Sequence, residues 1–171
     1  MENLYAPWRT QYVSTNKEKI NGCVFCHIVN NPNDNDELGV IYRCKEFFIV
    51  MNKYPYSAGH FMIIPNFHTD KLEELDPKVW QEMSLYAQVG VKMLKDILNA
   101  QGVNIGMNIG KISGAGIAEH IHLHLVPRWL GDTNFITTIA DTRVYSSDFD
   151  KIFQRFKDEA PKYFDKLKND S

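Results

Sequence analysis

Between positions 120 and 125 the chain reads His-Ile-His-Leu-His-Leu, and an alternation this strict admits one backbone. In a β-strand, residues i, i+2 and i+4 point to the same side of the sheet. His120, His122 and His124 then line one face at spacings of about 7 Å, while Ile121, Leu123 and Leu125 turn to a core. Helical geometry would scatter the three rings. Each imidazole gives up apolar packing and needs a polar partner of its own. One buried histidine is ordinary; three in register point to a functional site rather than to a solvated sheet face.

Two chemistries suit such a row. Neutral imidazole binds zinc, copper or nickel. It also attacks phosphorus or carbonyl centres at pH 7 without prior deprotonation, and it leaves again easily. The neighbours favour the second. GKISGAG, residues 110–116, lies just before the row, and a glycine turn can present several backbone N–H groups to one anion. Gly114, Ala115 and Gly116 are the candidate cradle, with Asn108, Lys111 and Arg128 as further donors. The net charge of −2 provides no global field for a nucleic acid polymer. An anionic ligand must therefore be met by these local groups, and a phosphate-bearing substrate fits them better than a bare metal.

With 171 residues, 44% of them hydrophobic and 23% charged, the chain reads as an ordinary globular protein. It is expected to form one domain over 1–171, with an N-terminal arm to residue 22, a core over 23–134 and a C-terminal extension over 135–171. No apolar run approaches the roughly 20 residues needed to span a bilayer, and MENLYAPWRTQYV lacks a signal-peptide core. No membrane partner and a cytoplasmic location are expected. A polar loop, NNPNDNDELG, precedes three β-rich runs, VIYRC, FFIVMN and HFMIIP. Asp76 before Pro77 is a good helix start. Val79, Met83, Tyr86, Ala87, Val91, Leu94, Ile97 and Leu98 then recur at helical spacing up to Gly102. VNIGMNIG and EHIHLHLV complete the strands. The sum is an α+β fold, an antiparallel β-sheet meander packed against one long helix. A second helix is expected from Asp148 to about Glu159, capped by Ser146 or Ser147 and ended near Pro161, with a fraying KYFDKLKNDS tail.

HIHLHLV resembles the signature of the histidine triad (HIT) superfamily, H-φ-H-φ-H-φ-φ with φ apolar. CVFC, VMNKYPYSAGHFMIIPNFH, MNIG, PRW and GDTNF are similar to family segments in the same order, from Gly22 to about Asn134. APWR, PRW and GDTNF look most like the diadenosine tetraphosphate phosphorylase branch, while the fragile histidine triad hydrolases share the triad. The resemblance implies a HIT-like fold and a nucleotide hydrolase or nucleotidyltransferase. Such an enzyme cleaves a nucleoside or dinucleoside polyphosphate at the α-phosphate through a nucleotidyl-histidine intermediate. It implies His122 as the nucleophile, His124 as a donor to phosphate oxygens, Asn108 beside the scissile group and Asn52 at the ribose hydroxyls. Ile28 and Phe48 stand for the base pocket, and Trp129 joins the nucleotide-binding positions. The resemblance further implies a two-fold homodimer built on the long helix and an adjoining strand, in line with the general preference for such pairs.

One position departs from the family pattern. Four residues before the first triad histidine the hydrolases carry glutamine and the phosphorylase-like proteins serine; here it is Gly116. Either backbone N–H groups of the turn replace the missing side chain, or catalysis is slower. Losing one such donor costs roughly 3 kcal/mol, about a hundredfold in rate. Other readings use the same residues: hydrolysis of a nucleoside phosphoramidate or nucleotide adduct, a nucleotide-binding module with weak catalysis, or a metal-binding protein with none.

Cys23 and Cys26 form a C-x-x-C pair and Cys44 stands apart. A redox dithiol calls for a thioredoxin-like βαβ context, which the following segment does not supply. Two thiolates with two histidines make a closed tetrahedral zinc site, and zinc-containing members of the superfamily imply His68 and His120 as the missing pair. His27 and His60 are alternatives without a family match; His27 is expected to be exposed and His60 to hydrogen-bond locally. A structural Zn2+ on Cys23, Cys26, His68 and His120 is the expected cofactor. Cys44 is expected to be a buried, apolar-like residue.

Overall fold

FFIVM and FMIIP are apolar at every position, which suits strands covered on both faces, and every residue of both runs is buried. The computed structural model describes residues 22–133, 139 and 148–168. In chain order its helices are α1 (Val24–Asn30), α2 (Asn35–Leu38), α3 (Pro77–Leu98) and α4 (Phe149–Lys168). Its strands are β1 (Val40–Arg43), β2 (Phe47–Met51), β3 (Phe61–Pro65), β4 (Gly102–Gly106) and β5 (Leu123–Arg128). They form one antiparallel sheet in the order β1-β2-β3-β5-β4. The first three strands make the expected meander. After α3 the chain lays β4 at the sheet edge and brings β5, with its histidine, into the interior.

The period of two sorts side chains between the faces. Phe47, Ile49, Phe61, Ile63, Leu123 and Leu125 pack with α3 and α4. Phe48, Val50, Met62 and Ile64 pack on the other side with Phe25 and Ile28 of α1. Helix α3 starts where the sequence puts it: Pro77 is in its first turn and the Asp76 carboxylate accepts the Lys78 N–H at 2.8 Å. It lies close on the sheet, for a Cβ at Gly90 would stand 2.9 Å from Phe61 Cζ. It ends at Asn99, which turns left-handed (φ 53°), three residues before Gly102.

Several expectations need correction. Residues in NNPNDNDELG form the short helix α2, closed by Gly39 at φ 74°. The VNIGMNIG strand stops at Gly106, which pairs with His124; its partner β5 starts at Leu123, so Met107 and Asn108 have little strand left to pair with. Helix α4 runs through Pro161 to Lys168, and KYFDKLK does not fray. An interior proline costs about 3 kcal/mol, but Phe156, Ala160 and Phe164 are all fully buried. Phe164 stacks on Tyr86 at 5.4 Å, and the Tyr42 hydroxyl donates to Asp165 at 2.5 Å. The α4 cap is Asp148, whose carboxylate accepts from the Asp150 and Lys151 N–H groups; Ser146 and Ser147 lie outside the described residues. So do the N-terminal arm up to residue 21 and most of the stretch 134–147. Among the described residues no helix is long and apolar enough to cross a membrane.

Candidate functional site

Three chemically identical rings become three different groups because each has a different partner. His120 and His122 precede the β5 ladder, yet the alternation holds, with Ile121 in the α3-side core and its N–H donated to the Thr69 carbonyl at 2.8 Å. His120 Nε2 lies 2.9 Å from the Pro65 carbonyl. A carbonyl only accepts, so Nε2 carries the proton and Nδ1 offers a lone pair. His122 is the reverse: Nδ1–H donates to the His120 carbonyl at 2.8 Å, which leaves the lone pair on Nε2.

His124 is set by a relay. The Tyr56 backbone N–H donates to His60 Nδ1 at 3.1 Å. His60 therefore holds its proton on Nε2 and donates it to His124 Nδ1 at 2.9 Å. The His124 proton is thereby on Nε2, a buried donor with no partner among the described residues. Tyr56 covers the pair, its ring centroid 4.7 Å from His60 and 5.7 Å from His124.

All four rings are buried, and burial penalises imidazolium. It is the main reason that His60 titrates at about 3 and His124 at about 4, with neighbouring histidines adding to the effect. His120 and His122 are lowered for the same leading reason. At neutral pH the row is uncharged, which keeps the lone pairs of His120 and His122 available.

On the same face of the sheet Ile28 and Phe48 join Phe25, Val40, Val50, Met62 and Ile64 in one apolar cluster, with Ile117 against it. Asn52 follows β2; its carbonyl oxygen accepts the Tyr54 N–H at 2.9 Å and its amide lies 3.2 Å from His60 Nδ1. Asn108 is half-buried, two residues past the Gly106–His124 pair. In the glycine turn the Ser113 hydroxyl is spent on the Ile109 and Gly110 carbonyls. Gly114 is left-handed (φ 89°), and a Cβ at Gly116 would meet nothing within 4 Å. Trp129 is not brought to the row: it packs against the α3-side core and donates Nε1–H to the Leu98 carbonyl. Arg128 is occupied by Asp132 and Asn104.

Cys23, Cys26, His68 and His120 converge, with four ligand atoms all within 4.8 Å of one another. His120 Nδ1 lies 3.4 Å from Cys23 Sγ, 3.8 Å from Cys26 Sγ and 3.3 Å from His68 Nδ1, and Cys26 Sγ is 3.2 Å from that nitrogen. Burial, then the neighbouring Cys23, pushes the Cys26 thiol up, and a cation between the sulfurs would reverse that. The set can hold a metal ion. Cys44 stands apart and is half-buried rather than buried, its thiol pushed up to about 12 chiefly by desolvation. His27 is half-buried rather than exposed, beside the Asn31 amide.

His60 is the site residue whose role the sequence reading missed. It hydrogen-bonds locally, as expected, but also reaches 64 positions along the chain to His124. The available signal was its place at the head of a run buried at every position, where a polar side chain needs a partner.

A HIT domain model matches residues 34–129. An AP-4-A phosphorylase of Mycobacterium tuberculosis is 34% identical over 152 residues, covering 84% of this chain and 76% of that protein. The crystal structure of a Zn-bound histidine triad family protein from Mycobacterium smegmatis superposes with a TM-score of 0.67 at 27% identity, covering 88% of this chain and 98% of the other. A hypothetical histidine triad nucleotide-binding protein from Sulfolobus tokodaii gives a TM-score of 0.63 at 25% identity, covering 83% and 96%.

Proposed function

This chain belongs to the histidine triad family, and from that premise we propose that it is a nucleotidyl-transfer enzyme acting on a nucleoside or dinucleoside polyphosphate. The observation that carries the reading is the tautomer of His122: its proton is committed to the His120 carbonyl at 2.8 Å, which leaves Nε2 as a neutral nucleophile. His122 Nε2 attacks the α-phosphorus, an N–P bond forms, and the P–O bond to the remaining phosphates breaks. His124 Nε2–H donates to a phosphoryl oxygen as charge builds there, the main lever in phosphoryl transfer. An oxygen of water or inorganic phosphate then attacks the same phosphorus, and imidazole leaves. Asn108 and the N–H groups of Gly114–Gly116 serve the phosphates, Asn52 the ribose, and the Ile28/Phe48 cluster the base. The likeness to an AP-4-A phosphorylase supports a dinucleoside tetraphosphate as substrate and phosphate as acceptor.

The metal is Zn2+ on Cys23, Cys26, His68 and His120. Tetrahedral bonds of about 2.0 Å to nitrogen and about 2.3 Å to sulfur put two nitrogens about 3.3 Å apart and nitrogen and sulfur about 3.5 Å apart; the distances of His120 Nδ1 to Cys23, Cys26 and His68 and of Cys26 to His68, 3.2–3.8 Å, fit. When bound, the ion cross-links the α1 knuckle to the histidine row; four protein ligands leave no position for activating water. Residues 1–171 act as one domain. Two copies pair along the β4 edge, where Ile105 is half exposed; a monomer mass by light scattering at micromolar concentration would remove that pairing.

Diadenosine tetraphosphate with and without phosphate, followed by product masses, tests the activity. Wild type should gain one nucleotidyl mass after quenching, and His122→Ala should not. A nucleoside diphosphate formed only with phosphate marks phosphorolysis. Unchanged turnover in His122→Ala sinks the proposal.

A further inference from the structure

We propose that Phe25 is a positioning residue that transmits the state of the Cys23/Cys26/His68/His120 cluster to the ring of His122. The inference rests on His122 being the nucleophile. Phe25 sits between the two cysteines, and its side chain is 3% exposed. Its ring stands edge-on to His120, with centroids 5.5 Å apart and planes at 88°, and it leans on His122 at 5.2 Å and 54°. One aromatic ring thus touches a metal-cluster ligand and the nucleophile together. Pairs at such distances and tilts are attractive beyond the area they bury.

The helix that carries Phe25 cannot place it alone. α1 has seven residues, and its N-cap, Cys23, makes no side-chain cap. A helix this short is not stable by itself. Its C-terminal half is tied to the sheet by the Arg43 guanidinium, which donates to the Ile28 carbonyl at 2.9 Å. The start of the helix is held by the sulfurs of Cys23 and Cys26 and by the packing of Phe25. A filled cluster therefore clamps the turn that bears Phe25, and an empty one releases it.

A second path reaches the same ring. His120 is held through Nε2 by the Pro65 carbonyl and through Nδ1 by the cluster, and its own carbonyl accepts the His122 Nδ1–H. Metal-bound histidines are commonly oriented by such a carbonyl partner; here the orientation is passed one histidine further along. Phe25 blocks the sideways swing of His122 while the His120 carbonyl selects its tautomer. With the clamp open, the ring can turn and carry its proton on Nε2, where no attack on phosphorus is possible.

The test reads the tautomer without substrate. Long-range 1H–15N spectra of His122 are recorded at a pH where the ring is neutral, with Zn2+ in excess and again after chelation. Loaded wild type should show one tautomer, protonated on Nδ1. Stripped wild type and loaded Phe25→Leu should both show averaged nitrogen shifts. Their single-turnover nucleotidylation rate at saturating substrate should fall at least tenfold, whether or not KM also rises. Val24→Ala, at a neighbouring exposed position, should match wild type in both readouts. A wild-type His122 spectrum in loaded Phe25→Leu, with only KM raised, would make Phe25 a wall of the nucleoside pocket and overturn the proposal. So would an unchanged spectrum after metal removal. Turnover surviving in His122→Ala defeats the catalytic reading instead, and leaves the tautomer comparison standing.

Discussion

His60→Phe is the sharpest probe of the relay behind His124. Phenylalanine keeps an aromatic ring under Tyr56 but removes both of the hydrogen bonds that set the tautomer, 3.1 Å from the Tyr56 N–H and 2.9 Å to His124 Nδ1. His124 Nδ1 is left buried without a donor, a penalty of about 1–3 kcal/mol. The same loss frees the proton to move to Nδ1, taking from the phosphoryl group the donor that Nε2–H supplies in the proposed reaction. Complete loss of one such donor is worth about 10²–10³ in kcat. Because bound phosphate itself favours the Nε2–H form, the expected fall is smaller, about tenfold to a hundredfold, with KM little changed. His60→Gln puts an amide N–H near the position of the lost Nε2–H and should recover most of the rate. The assay is steady-state turnover of diadenosine tetraphosphate alongside urea denaturation of each variant. A folded His60→Phe with kcat within twofold of wild type refutes the relay.

Two further outcomes follow from the same geometry. Folded-state values of about 3 for His60 and about 4 for His124 lie below the ordinary 6.5 of an unfolded chain, so the unfolded state takes up protons first. The stability they contribute is complete above about pH 6.5 and is lost as pH falls toward 4, by up to about 3 kcal/mol per pH unit for the pair. Urea titrations at pH 7.5, 6 and 5 should show it; a flat stability across that range contradicts the buried neutral pair. Gly116→Ser meets no atom within 4 Å and no left-handed backbone, so its Tm should match wild type. Its added hydroxyl should raise kcat by up to about a hundredfold, and an unchanged or lower kcat means that the turn's N–H groups already fill the role.

What the sequence made legible is what local pattern determines. β2 and β3 are uniformly apolar runs and α3 combines a capping aspartate, a proline and a sustained helical period, so each could be read without its neighbours. Helix α1 could not: it is only seven residues long, and a helical period stands out only over a window of about 11–18 residues. The end of α4 is not legible because the rule against interior proline is local, whereas the contacts that outweigh it, Tyr42 with Asp165 and Tyr86 with Phe164, join residues more than 70 positions apart.

The histidine row shows why a motif can reveal a site and still hide its working parts. Alternation told that three rings share a face, but each ring has two nitrogens, and no pattern in HIHLHLV says which one bears hydrogen. That choice is made by the Pro65 carbonyl for His120, by the His120 carbonyl for His122, and by His60 for His124. Two of these partners are supplied by β3 or the turn into it, so the strand next door assigns the roles. Register is therefore the quantity on which function turns. A slip of β3 against β5 by two residues would keep every side chain on its own face and leave the apolar packing plausible. It would also carry His60 and Pro65 about 7 Å away from their histidines. On the chemistry proposed above, the Met62–His124 pairing is thus as much a catalytic specification as the identity of the residues assigned to it.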